Sequence, residues 1–356
     1  MNNSSDIIES VDILENRIPI SLLTLLLHDQ TTGKNILWGT DIGHVETNEI
    51  SLYEIIGDNG MAIRPRVKKS DEEKKLRTKK RAEVFTPAWI CNEQLNAADH
   101  LWFYGEASPN SDSPFNSITQ ESWISNDDSF IRQVFCETGK DWKQYIKEDR
   151  IEMCCGEGPY LMSRYDVVSE TVIPIENRIG ILDRKLRVAS AFTSSKVEWV
   201  EWAIEAYKHT YGFEWQGDNL LLTRETLLYG FIDNLKYQNL KYTLKQYKKE
   251  HRGSKLTVEH LLDVINIDAL NIEDFDTIHN IARIISWNIW QMDGITGCTP
   301  YAKPSIEMKK LIATINAHNS KVMSELTIPQ EFCRIMDWDE NKVTTYVEVY
   351  AEALRR

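Results

Sequence analysis

Residues 150–158 read RIEMCCGEG, a short strand-like run that ends in two cysteines and in Gly156 and Gly158 around an acidic residue. No other stretch constrains the fold as much. A strand that ends in a glycine turn and is followed by a helix and another strand forms a parallel βαβ unit, because parallel strands need a crossover on the face of the sheet. The sequence predicts that order. DWKQYIKED (141–149) is a helix leading into the strand, PYLMSRYDVVS (159–169) a second helix, and RIGILDRKLRV (178–188) an apolar strand ending in Asp183. VEWVEWAIEAYKHTYG (197–212) reads as a helix ending at Gly212, and WQGDNLLLT (215–223) as a Gly-Asp turn beside an apolar run.

The glycine turn lets backbone approach a ligand, and the helix after it offers unpaired N–H groups. No Lys-Ser or Lys-Thr follows, so this is not a Walker loop, and the six-position glycine spacing of a dinucleotide fold is absent. Asp183 stands roughly 20 to 30 residues beyond the glycines, where an acidic strand end accepts ribose hydroxyls in nucleoside-binding α/β folds. Asp218 sits at the next strand-to-loop junction, where a carboxylate accepts from an exocyclic amino group. Each carboxylate taken alone reads as a solvated cap or turn residue, and it is the three features in this order that point to a ligand.

With 356 residues the chain can bury one large core or two modest ones. No stretch reaches the roughly 20 apolar residues that span a bilayer, and the run ISLLTLLLH (20–28) follows acidic sequence without the basic start of a signal peptide. The expectation is a cytoplasmic protein with no membrane contact. Six scattered cysteines show neither CxxC pairs nor histidine spacing, so no disulfide framework and no metal site is expected.

The formal net charge of −13 argues against a general nucleic-acid coat. One segment opposes it: Arg64–Arg81 carries ten basic and three acidic residues, 10 − 3 = +7. It reads either as a solvated linker or as an arm that follows phosphates through Arg64, Arg66, Lys68, Lys69, Lys79, Lys80 and Arg81. Before it, residues 1–63 read as a small α/β element, with NILWGTDIG strand-like and EISLYEIIGDNGMAIRPR as strand, Asn-Gly turn and strand. After it, AEVFTPAWICNEQLNAADHLWF is an entry loop, a proline at a helix start and an amphipathic helix, and residues 104–129 are a polar loop. Beyond residue 224 the pattern is helical in TLLYGFIDNLKYQNLKYTLKQYKKEHRG, TVEHLLDVINI, DFDTIHNIARIISWNIWQMDG and SIEMKKLIATINAHNSKVM. Trp199, Trp202, Trp287 and Trp290 recur at the three-residue spacing of core-facing helix positions, whereas Trp89 and Trp215 adjoin the site motifs.

Four stretches resemble the adenine-N6 DNA methyltransferases of bacterial restriction-modification systems, in the form described as restriction endonuclease subunit M: AEVFTPAWI (82–90), EMCCGEGPYL (152–161), IGILDRK (179–185) and WQGDNLLLTRETLL (215–228). The resemblance implies a Rossmann-like S-adenosylmethionine-binding core over 82–228, between the basic segment 64–81 and a helical region 229–356. It implies cofactor contacts from Phe85, Thr86 and Pro87, which close over the cofactor, and from Glu152, Cys155, Gly156, Gly158 and Tyr160, which cradle its methionine end. Asp183 would meet the ribose and Asp218 the adenine.

The chain departs from the family at one point. It contains no Asn-Pro-Pro-Tyr or Asp-Pro-Pro-Tyr string, the loop that holds a flipped base. CTPY (298–301) is the nearest, and it reads as an ordinary turn because the residues before it look helical and end in DGITG rather than in an apolar strand. In the family the loop and a target-recognition domain lie beyond a stretch like CRIMDW (333–338), so the chain is expected to stop before them. No catalytic residue is therefore assigned. The expected function is the cofactor-binding component of an adenine-N6 DNA methyltransferase in restriction-modification or phage defence, with DNA and a second protein chain as partners. The alternatives are an inactive methyltransferase-like subunit that binds nucleotide or DNA and scaffolds a complex, and a truncated remnant with exposed apolar surface.

Overall fold

A computed structural model describes residues 19–38, 49–56, 62–81, 83–106, 113–252, 255–256, 272–300 and 332–353. Over these residues the chain is mixed α/β, with eleven α-helices and three small sheets. Helices α1 (Ile20–Leu27), α2 (Leu52–Ile55), α3 (Asp71–Arg81) and α4 (Ala88–Tyr104) come first. A hairpin of β1 (Asn116–Thr119) and β2 (Ser122–Ser125) follows, then α5 (Asp128–Thr138) and α6 (Trp142–Lys147). The parallel sheet consists of β3 (Arg150–Met153), β4 (Thr210–Glu214) and β5 (Ile289–Gln291), in the spatial order β3-β4-β5. Between β3 and β4 run α7 (Ile181–Phe192) and α8 (Lys196–Lys208), and between β4 and β5 run α9 (Gly217–Glu250) and α10 (Ile272–Asn288). A second hairpin, β6 (Arg334–Asp337) and β7 (Lys342–Thr345), leads into α11 (Tyr346–Ala353).

The helices of the crossovers supply the core. Leu220, Leu221, Leu227, Leu228, Phe231 and Leu235 of α9 are at most 1% exposed, and each such side chain contributes about 1.5–3 kcal/mol on burial. They pack with Ile281, Ile285, Leu186 and Trp199, and Leu22 and Leu26 of α1 join the same cluster. Helix α7 buries even its cations. The Arg184 guanidinium donates to Asp99 and to Asn92 Oδ1 (2.7 Å), and Lys185 Nζ donates to the carbonyls of Glu148 (2.6 Å) and His209 (2.7 Å), locking α7 to the start of the sheet. Of the four periodic tryptophans, Trp199 and Trp290 are buried; Trp202 and Trp287 are half-buried, and Trp290 lies on β5 rather than on a helix.

Several sequence expectations are corrected. Residues 178–188 form no strand: helix α7 starts at Ile181, and Asp183 is its third residue, not a strand end. The apolar positions Ile181, Leu182, Leu186 and Ala189 fit a helical period as well as a strand, and the Asp183 carboxylate caps the helix by accepting from Gly180 N–H (3.0 Å). Residues 159–169 are turns rather than a helix, because Asp166 accepts the N–H groups of Val168 and Ser169 and so competes with helical bonding. The second strand of the sheet is Thr210–Glu214, so α8 ends before Gly212, and the run from Gly217 is helix α9 rather than strand. An apolar strand, β5, does precede DGITG.

The polar loop 104–129 contains the β1-β2 hairpin, turned at Gln120 with φ 55°. Near the N-terminus Leu52–Ile55 is helical, and Asn35 and Leu37 make only isolated bridges; the Asn-Gly turn at 59–60 lies outside the described residues. The expected helices at 257–267 and 305–323 lie outside them too. The strand, turn and helix expectations at 88–104, 142–147, 150–153 and from 224 to 250 agree with α4, α6, β3 and α9.

Candidate functional site

The glycine loop leaves the C-terminal end of β3 with three residues in the left-handed region: Cys154 (φ 57°), Gly156 (φ 58°) and Gly158 (φ 80°). Its neighbours hold it there. Cys155 N–H donates to Phe213 O (2.9 Å), continuing the parallel pairing, and Thr223 Oγ1 of α9 donates to Gly156 O (2.6 Å). Gly156 N–H donates to Glu214 Oε2 (2.9 Å), while Glu214 Oε1 accepts from Gln216 N–H (3.0 Å). Glu214 is thus the acidic residue at the end of the second parallel strand, directly beneath the loop.

The Phe-Thr-Pro segment comes to the same place. Pro87 starts α4, whose Ala88 N–H donates to Asp166 Oδ2 (3.0 Å), and Phe85 Cε1 stands 3.5 Å from where a Cβ on Gly156 would lie. Tyr160 OH donates to Gln94 of α4. Glu152 near the end of β3 is half-buried and its carboxylate accepts no hydrogen bond among the described residues; burial pushes its carboxyl up to about 7. Of the ten residues expected at a cofactor, Phe85, Thr86, Pro87, Glu152, Cys155, Gly156, Gly158 and Tyr160 belong to these two meeting segments.

The other two are engaged elsewhere. Asp183 is 3% exposed, and its Oδ2 accepts from Ser163 N–H (2.8 Å), Ser163 Oγ (3.3 Å) and Gly180 N–H (3.0 Å). That is a capping and loop-tying role, so the ribose assignment is not carried forward. Asp218 lies in the first turn of α9, and its Oδ2 accepts from Arg77 Nη1 (2.6 Å). Arg77 also holds Glu83 Oε2 (2.7 Å) and Asn219 Oδ1 (3.0 Å). Burial opposes its charge, but Glu83 and Asp218 outweigh burial and hold the guanidinium above its usual range.

The basic segment is therefore not an open linker. It is a helical arm docked on the site. Arg66 N–H donates to Glu157 Oε1 (2.7 Å), the Arg66 guanidinium stacks 4.9 Å from the Phe85 ring centre, and Lys69 approaches Glu157 to 3.7 Å. Arg64 pairs with Glu73 (2.5 Å), and Lys79 and Lys80 are exposed residues of the same segment. Glu214 and Arg77 were missed by sequence reasoning. Glu214 had a signal, an acidic residue closing TYGFE, which a strand placed at 178–188 concealed.

These residues fit a cofactor carrying an ammonium and hydroxyl groups: Glu152 is an acceptor without a partner, and Phe85 supplies an apolar wall over left-handed glycine backbone. Comparison of the chain with protein-family models, curated proteins and solved structures finds no match in any of the three.

Proposed function

We propose that the chain is the S-adenosylmethionine-binding component of an adenine-N6 DNA methyltransferase of a restriction-modification or phage-defence system, built on a Rossmann-like half-sheet. The observation that carries the reading is the meeting of two motifs some 70 positions apart: the Phe-Thr-Pro segment packs on the glycine loop, with Phe85 3.5 Å from the Gly156 Cβ position. In this reading Glu152 takes the ammonium of the methionine end, Phe85 and Pro87 cover the loop, and Glu214, the acidic end of the second parallel strand, positions the loop through the Gly156 N–H. When bound, the cofactor supplies the methyl group; the residues of this chain bind and orient it.

In this reading a partner chain supplies the base-binding loop, the Asn-Pro-Pro-Tyr or Asp-Pro-Pro-Tyr string that these 356 residues do not contain. The isolated chain is expected to transfer no methyl group to adenine in duplex DNA, with activity gained on adding a partner that carries the loop. The check is transfer of labelled methyl groups to DNA; transfer by the purified chain alone would overturn the division of labour. The Arg77–Asp218 pair favours a second reading, an inactive subunit whose adenine-facing carboxylate is permanently occupied. That reading expects no gain with any partner.

A further inference from the structure

Arg66 opens a single helical turn, Arg66–Lys68, that precedes α3. Its backbone is pinned to the glycine loop, because its N–H donates to Glu157 Oε1 (2.7 Å) and Glu157 lies between Gly156 and Gly158. The next residue, Val67, packs in a small apolar cluster with Tyr165, Val167 and Phe85. The guanidinium carbon of Arg66 then stands 4.9 Å from the centre of the Phe85 ring. Both anchors of Arg66 thus belong to the two segments that meet at the site.

Its charge is left over. Arg66 is part-buried, and among the described residues no carboxylate pairs with its guanidinium and none of its side-chain nitrogens donates a hydrogen bond; Nη1 is buried without a partner. The nearby acids are occupied. Glu157 takes Arg66 N–H, the Tyr165 hydroxyl (3.0 Å) and Lys69 (3.7 Å), and Glu214 takes the N–H groups of Gly156 and Gln216. Stacking on Phe85 orients the guanidinium plane but satisfies none of its donors. A guanidinium has five N–H donors and no acceptor, and its fork matches a carboxylate through two parallel hydrogen bonds. Glu152 is the complementary remainder, a half-buried carboxylate that accepts no hydrogen bond among the described residues. A free donor fork and a free acceptor in one site fit a zwitterion.

We infer that Arg66 binds the carboxylate of the amino-acid end of S-adenosylmethionine, the ammonium of the same end going to Glu152. The inference rests on the cofactor reading above and adds to it the residue that selects a ligand with its carboxylate intact. Arg66 is then a cofactor ligand rather than one of the phosphate-following cations of the arm.

The test is calorimetric titration of the full chain with S-adenosylmethionine and with decarboxylated S-adenosylmethionine, which keeps the ammonium and the nucleoside, for the native protein and for Arg66→Met. The native chain should prefer the carboxylated ligand by about tenfold or more, the size of one hydrogen bond between charged groups, and Arg66→Met should lose the preference. A residue that only covered the loop would weaken both ligands alike, so the ratio of the two affinities separates binding from packing. If Arg66→Met fails to fold, Arg66→Lys, which keeps a cation without the fork, must still shrink the ratio. Binding of neither ligand by the native chain removes the cofactor reading and this inference with it. Binding without preference, or a preference that survives in the variant, overturns the inference alone. Weaker binding of a short DNA duplex by Arg66→Met with the ligand ratio intact overturns it as well, and assigns the fork to phosphate.

Discussion

Two carboxylates set the residue scale. Asp183 accepts three hydrogen bonds through one oxygen at 3% exposure, and leaving buried donors unpaired costs about 1–3 kcal/mol each. Asp183→Ala should therefore lower stability by several kcal/mol in denaturant titration while the folded fraction keeps its ligand affinity; a stable variant with lost affinity would restore the ribose role. Glu152 behaves in the opposite way, since its carboxyl is pushed up to about 7 by burial, from 4.5. A carboxyl raised in the folded state favours folding fully below about 4.5 and loses that contribution as the pH rises through about 7. Glu152→Gln removes the penalty on the charged form, so the variant should gain stability over the native chain at pH 8 and show no gain at pH 4.5. Thermal melts at the two pH values check this, and the same variant should bind S-adenosylmethionine more weakly if Glu152 receives its ammonium.

At the scale of elements, the arm α3 matters most, because one arginine fastens it to both the Phe-Thr-Pro approach and the start of α9. Arg77 and Asp218 have side chains 14% and 12% exposed, and removing one partner of such a pair leaves a poorly solvated charge, at a cost of about 3–5 kcal/mol for a fully buried case. Arg77→Met should destabilise the chain by about 3 kcal/mol and raise protease cleavage within 71–81; unchanged cleavage would mean that other contacts hold the arm. The sequence disclosed these elements unevenly. The long periodic run of α9 beyond residue 224 and the strand-turn at 150–158 were legible, because helical period and glycine turns are local signals. The strand at 210–214 was not, being five residues long against an equally apolar helix at 181–192. That single misplacement moved the acidic strand end from Glu214 to Asp183. The segments at 82–90 and 152–161 were singled out by residue identity rather than by element boundaries, and the structure brings Phe85 beside Gly156. The docking of the basic segment was illegible, since its anchors, Glu83, Glu157 and Asp218, are distant in sequence or look like ordinary surface acids.

Over the whole molecule, the layout concentrates chemistry at one end of a small parallel sheet. The glycine loop follows β3, Glu214 ends β4, and α4 and α3 cover that end, which is where open α/β sheets hold their ligands. Among the described residues no helix is long and apolar enough to cross a membrane. Lys75, Lys79 and Lys80 of the arm are exposed, so a polyanion can approach the covering element itself. The central claim is that the loop at 154–158 holds S-adenosylmethionine, and calorimetric titration of the purified chain with that cofactor, repeated for Gly156→Val, tests it most directly. The native chain should bind it saturably and Gly156→Val should not, since a β-branched residue is strained at φ 58° and its side chain would meet Phe85. Absence of binding by the native chain, or unchanged affinity in a folded Gly156→Val, would contradict the account.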